Sequence, residues 1–257
     1  MPNEYLPDLR LARGQVPKHQ LIHKYGHDVD VGTTYAPLTA NQLYQTPQVS
    51  NAVNLRIKAG DASNNVGQAG AWAVVIEGVD DTGNYATEVL LTNGTSTGVA
   101  GVVNFIRVYR AKISQSGSYA SAIVPSHTAE IIIESTDGTE WVKIPQINNF
   151  GHSSSQIAVY STADNVRAYL AKIELHVDGN KPVDFMLFRR GGFMQEVAPY
   201  DSMEVIDEFP AVTTSISFNR PYPELGVDGH TDIGFMAKAS QSAVAVAKFT
   251  LVCVDES

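Results

Sequence analysis

The chain has 257 residues, 44 % of them hydrophobic and 18 % charged, and 18 Lys plus Arg against 27 Asp plus Glu give a formal net charge of −9. That length can bury a core without staples, and a negative body repels phosphate, which argues against sequence-independent nucleic-acid binding by the body of the protein. The single cysteine, Cys253, excludes an intrachain disulfide framework, and no run approaches the ~18 apolar residues of a membrane span.

Residues 1–35 read as an extended N-terminal arm. Pro2, Pro7 and Pro17 interrupt any long helix, and Leu6, Leu9, Leu11, Leu21 and Ile22 are scattered anchors. A short helix is expected around residues 18–24, ending before Gly26. The opening residues lack the apolar segment of a signal peptide, so synthesis in a host cytoplasm is expected. The arm carries Arg10, Arg13, Lys18 and Lys24, with Tyr25 near its end, and is expected to order against a neighbouring subunit.

Residues 36–145 read as one β-sandwich domain. Strands are expected over 52–58, 71–79, 85–91, 104–113, 129–134 and 139–144. Trp72, Val74 and Ile76 would share one face of the second of these, and Tyr85, Thr87, Val89 and Leu91 one face of the third. Asp80-Asp81-Thr82-Gly83-Asn84 and Asp137-Gly138 are turn signals. The stretch 60–70, with three glycines and two asparagines, is long enough for a loop that touches a partner.

Residues 146–257 read as a second, jelly-roll-like β-domain. Over 167–177, Tyr169, Ala171, Ile173, Leu175 and Val177 fall on one side, and Lys172, Glu174 and His176 on the other. A strand over 183–190 follows a turn at Asp178-Gly179-Asn180. Val212, Thr214, Ile216 and Phe218 form a further stripe, and 230–237 and 243–254 close the domain. The fold class is therefore all-β: two β-sandwich or jelly-roll-like domains and an arm.

Candidate chemistry is sparse. His19 and His23 would share a face of a helix and so bear on a transition metal, but Gly26 would break that helix before His27 joined. A polar arm with unrelated histidines is the simpler reading. Gly151-His152-Ser153-Ser154-Ser155 sets serines beside a histidine without a strand-to-helix elbow. Glu196, Asp201, Glu204, Asp207 and Glu208 read as a solvated loop between strands, with a glycosidase pair as the alternative. No cofactor fingerprint is present. Contact residues are expected at Phe188, Arg189, Arg190 and Phe193, where two arginines stand near two aromatics, and at Arg220 and Tyr222, in a segment stiffened by Pro221 and Pro223.

Several short blocks occur in the order seen in virion structural proteins of tailed bacteriophages, and the chain resembles that family. The blocks are 71–79 followed by Glu88–Leu91 and Asn93-Gly94-Thr95, then Asn104-Phe105-Ile106-Arg107-Val108, then 156–160 with 167–170, and finally Thr231-Asp232-Ile233. The resemblance implies a non-enzymatic shell or tail component of the virion and carries over no catalytic residue or cofactor. It implies partners among the major capsid protein or other virion subunits, with homo-oligomers in the particle and no membrane contact. A capsid cement or decoration protein is the first expectation. A tail-associated or fibre protein, in tail assembly or binding host glycan, is the second, and a jelly-roll hydrolase of surface polysaccharide the third.

Overall fold

The computed structural model describes residues 7–121, 123–147, 150–178, 181–219 and 226–257. A six-residue helix, α1 (Pro7–Ala12), precedes the long strand β1 (His19–Val31) and the two-residue β2 (Ala36–Pro37). Then come β3 (Leu55–Lys58), β4 (Ala71–Asp80), β5 (Tyr85–Leu91), β6 (Phe105–Ser116), β7 (Ile131–Ser135) and β8 (Glu140–Ile144). A short pair, β9 (Gln146–Ile147) and β10 (Phe150–Gly151), leads to β11 (Val159–Ser161), β12 (Val166–Asp178) and β13 (Val183–Arg190). The chain finishes with β14 (Met203–Val212), β15 (Ile216–Asn219), β16 (Gly226–Val227), β17 (Asp232–Ala239) and β18 (Ala243–Asp255). The chain is all-β, as its periodicity predicts.

Every pairing among these strands is antiparallel. A first sheet runs β1-β18-β12-β15, with β16 also on β12, and a second runs β11-β17-β13-β14, with β2 also on β17. One core lies between them: Leu170, Ile173, Leu175, Phe249 and Leu251 from the first meet Phe185, Leu187, Ile233 and Phe235 from the second. The Phe235 and Phe249 rings sit 5.9 Å apart. A third sheet, β5-β4-β6, and a fourth, β3-β7-β8, enclose a second core of Leu55, Ile57, Val74, Ile76, Phe105, Ile131 and Ile133. Each such buried side chain contributes about 1.5–3 kcal/mol.

The expected arm is corrected over its second half. Residues 19–31 are a core strand, paired in register with β18 from His19↔Val254 to Asp28↔Ala245, and the expected helix over 18–24 is part of it. The inward positions of β1 are Ile22, Lys24, Gly26, Asp28 and, past a register shift, Val31. Two charged residues and a glycine occupy the face that a hydrophobic pattern would mark, which hides the strand. Gly26 is there for space, since a Cβ on it would stand 2.3 Å from the Leu38 carbonyl oxygen and 2.4 Å from Ala158 Cβ.

Three other expectations change for local reasons. A register shift between Leu170 and Lys172 inverts the parity of β12, so Ala168 and Leu170 point inward before it and Ile173 and Leu175 after it. Similar shifts at the start of β4 take Trp72 off the face that buries Val74 and Ile76. The stripe from Val212 to Phe218 is divided between β14 and β15, which lie in different sheets.

The third sheet is shared between the two cores. Val74, Ile76 and Phe105 face the second core, whereas Val79, Ile106 and Tyr109 reach the first. A buried ion pair ties this junction. Arg107 Nε on β6 donates to Asp232 Oδ2 at 3.0 Å and Oδ1 at 3.1 Å on β17, and both side chains are almost completely enclosed. Arg107 Nη1 donates to the carbonyls of Pro47 (2.9 Å) and Ile106 (2.7 Å), and the guanidinium lies 4.7 Å from the Phe193 ring centroid. Ser161 Oγ donates to Asp232 Oδ1 at 2.6 Å, and the Tyr44 hydroxyl does so at 3.3 Å.

A second buried cation crosses the same junction. Lys24 Nζ donates to the Tyr109 carbonyl and lies 5.4 Å from the Tyr109 ring centroid. Burial, and then the Arg110 charge, hold its pKa well below the ordinary 10.5. Between the depressed value and 10.5 the unfolded chain binds a proton that the folded chain does not, so this group makes stability rise with pH across that window. Lys24→Met is therefore expected to exceed the parent in stability at neutral pH by on the order of 1 kcal/mol. The advantage should vanish as pH approaches 10.5. Urea unfolding of both proteins across that range measures it, and an advantage independent of pH contradicts the assignment.

Candidate interaction surfaces

The residues expected to contact partners divide sharply by exposure. Arg10 and Arg13 are exposed at and just after α1, and Tyr25 is exposed on β1, 5.9 Å from Lys248 Nζ. Arg189 is exposed but paired across the β13–β14 ladder with Glu204, Nε to Oε2 at 2.6 Å. Arg190 is half-buried between Met203 and Asp232 in register. Phe188 and Phe193 are corrected: they are 4 % and 3 % exposed, the first in the second core and the second beneath Arg107. Strand alternation and the Arg107 contact turn these rings inward, so neither is a surface anchor. Arg220 and Tyr222 lie outside the described residues.

The chemistry-bearing motifs are absorbed by structure. On a strand, four residues span about 13 Å, so His19 and His23 are too far apart to share one ion. His19 Nδ1 is 2.8 Å from the Pro17 carbonyl oxygen, and His23 Nδ1 is 3.0 Å from Thr250 Oγ1. No group of three or more His, Cys, Asp or Glu among the described residues is placed to hold a metal ion. In the serine-rich block, Ser155 Oγ accepts the Ala111 N–H at 2.9 Å and the Ser153 carbonyl accepts that of Ile113 at 2.8 Å, both as docking onto β6. Cys253 is buried, and desolvation pushes its thiol up to about 12, away from reactive thiolate chemistry. The acidic stretch is corrected in part, because Glu204, Asp207 and Glu208 belong to strand β14.

The 60–70 loop is pinned to the body. Asn64 is fully buried, donating from Nδ2 to the Ala59 carbonyl at 2.8 Å and accepting the Ala71 N–H at 3.1 Å. The sequence marks this residue only as one of several polar loop positions.

The apolar surface lies on β5 instead. Tyr85, Thr87, Val89 and Leu91 do share a face, and from Thr87 onward it points to solvent, while the Tyr85 ring lies 6.1 and 6.2 Å from those of Tyr109 and Tyr160 and Leu90 points into the second core. Val89 is 56 % and Leu91 58 % exposed, and Val99 and Val102 in the next loop are each 87 % exposed. These four line a groove of about 480 Å³ with Glu88, Thr92 and Asn93. The loop is held in place: Gly98 N donates to the Ile57 carbonyl at 2.7 Å, Gly101 N to that of Leu55 at 2.8 Å, and Val102 N to Glu88 Oε1 at 2.6 Å. A contiguous apolar surface on a rigid frame is the usual mark of a contact region.

A second exposed region is the strand β14 with the segment before it. Val197, Tyr200, Met203 and Val205 are all exposed. β14 forms the end of the second sheet, and no described strand pairs with its other side.

No protein-family model matches the chain, and no curated protein matches it. Some solved structures resemble it at a distance. The structure of the Gx strain of infectious bursal disease virus is 11 % identical, with 99 % of this chain and 83 % of that chain covered and a TM-score of 0.20. A mutant VP2 protein of the same virus, from T=1 particles, is 10 % identical over 99 % and 80 %, with a TM-score of 0.20. A bacterial lipoprotein from Bacteroides thetaiotaomicron is 10 % identical over 90 % and 99 %, with a TM-score of 0.19. Two of these come from a virus and one from a bacterium, and none is similar enough to carry an argument.

Proposed function

We propose that the chain is a non-enzymatic structural subunit of a tailed-bacteriophage virion, a capsid cement protein that bridges neighbouring capsid subunits and stabilises the shell. The observation that carries this reading is the outward apolar face of β5, with Val99 and Val102 beside it on a pinned loop. Leaving such a surface in water is unfavourable at roughly 25 cal/mol per Å², so a covering partner gains what the free chain forgoes. The phage resemblance of the short blocks supplies the kind of partner. Several modest contacts made at once give firm attachment to a lattice, as a bridging protein needs.

The test mixes purified protein with expanded empty phage shells. The reading expects saturable binding, an increase in the heat resistance of the shells, and weaker binding by a Val89→Lys/Leu91→Lys variant. Shells that bind none of it, or bind without gaining heat resistance, contradict the cement role.

The tail reading makes a different forecast, about six or twelve copies per particle in place of on the order of hundreds. For a glycan-binding fibre, only one of the two tryptophans has an accessible ring. Trp141 is buried, and the Trp72 indole N–H is bonded to the Gln68 carbonyl at 2.5 Å.

A further inference from the structure

The geometry points to β14 as a docking edge for an extended, cationic segment of a partner polypeptide, which would add to the second sheet as a further antiparallel or parallel strand. The inference deepens the proposed function and takes from it only the partner's origin in the virion. Three features of the edge define the occupant.

The first is the edge itself. β14 is ten residues long, pairs with β13 and with no other described strand, and is exposed on both faces from Met203 to Val205. The Glu208 N–H is taken by Asp207 Oδ1 at 3.0 Å, that of Ala211 by Asp184 Oδ1 at 2.8 Å, and Pro210 has none, so the part of the edge open to strand addition is its first half, from Met203 to Ile206. Ile206 and Phe209 anchor the strand to the first core, so the edge is held rigid.

The second is charge. Glu208 lies on the strand and Glu196 and Asp201 on the approach to it, all exposed, while Glu204 is paired with Arg189. A second copy of β14 added antiparallel would bring these carboxylates against one another, and like charges on facing strands are unfavourable. The same carboxylates favour Lys or Arg on an incoming strand, so the edge selects a cationic partner and rejects its own kind.

The third is a cleft of about 340 Å³ at the start of β14, lined by Asp201, Glu204, Asp228, Ser202, Thr231 and Arg189. Glu204 neutralises Arg189 at 2.6 Å, and Asp228 meets Arg167 at 3.4 Å, which leaves Asp201 to set the sign of the cleft. A guanidinium or ammonium at the end of the added strand finds the Asp201 carboxylate there.

A fluorescent peptide of alternating arginine and valine, titrated with the full chain and read by anisotropy, tests this. Saturable binding is expected, with little for the same length of alternating glutamate and valine. Glu208→Lys and Asp201→Lys should each weaken the arginine peptide by ~10-fold. Glu256→Lys, an equal charge change at the exposed C-terminal end, should leave it unchanged. The same peptide N-methylated at every residue keeps its charge but cannot pair and should not bind. Matching circular dichroism shows that each variant is folded. Equal binding by all variants, or by the methylated peptide, reduces the effect to unspecific charge and overturns the proposal. So does no binding, or a sedimentation-detected dimer that Glu208→Lys strengthens, which would make a second copy the occupant. Absence of the protein from virions would defeat the proposed function while leaving the peptide result intact.

Discussion

Arg107→Met is expected to lower the unfolding free energy by about 3–5 kcal/mol, the cost of leaving one member of a buried ion pair without its partner. The methionine fills the stem's volume, but Asp232 keeps only Ser161 and Tyr44 as donors among the contacts described above, and the Pro47 and Ile106 carbonyls lose theirs. The Phe193 ring also loses its cation. Because Arg107 stands on β6 and Asp232 on β17, the loss falls on the seam between the two cores. Adding Asp232→Asn removes the stranded charge, so the double variant should recover a substantial part of the loss. Urea unfolding of the two singles and the double gives the coupling directly. A near-neutral Arg107→Met, or a double variant as unstable as the sum of the singles, would show that the pair does not hold the seam.

Gly26→Ala is expected to cost about 3 kcal/mol, the upper end for overpacking, because its methyl group meets backbone that has nowhere to go. The Leu38 carbonyl and the Ala158 backbone nitrogen, 2.3 and 2.5 Å from the new atom, belong to segments already bonded to each other. Gly32→Ala is the control, since its methyl group would meet only the end of the Gln42 side chain at 3.6 Å. Thermal melting of the pair separates the readings of this region. A loose arm tolerates both substitutions, and a core strand tolerates only the second.

Much of the architecture is legible in the sequence wherever period-2 alternation ends in turn residues. β5 and β13 have the bounds read from the sequence, 85–91 and 183–190. What fails has physical reasons. β1 buries Lys24, Gly26 and Asp28, so its inward face looks polar. β14 is exposed on both faces over its first residues, and its carboxylates and Pro210 interrupt the alternation of Val205, Ile206, Phe209 and Val212, so it does not stand out as a strand. The bulge in β12 inverts which residues are inside without changing the alternation on either side. Alternation also tells which residues share a face and not which way the face looks. The stripe on β5 is apolar and outward, and Phe188 and Phe193, which resemble contact residues beside two arginines, are inward. Arg107 and Asp232 each fall in a noted block, but their pairing spans 125 positions and only the fold reveals it.

The most direct test of the proposed function is electron cryomicroscopy of intact particles of a phage whose genome carries this sequence. The account predicts density for the chain on the shell in many symmetry-related copies, with another subunit seated over Val89, Leu91, Val99 and Val102. Mature particles that lack the chain, or copies whose β5 face stands bare in water at every position, would contradict it.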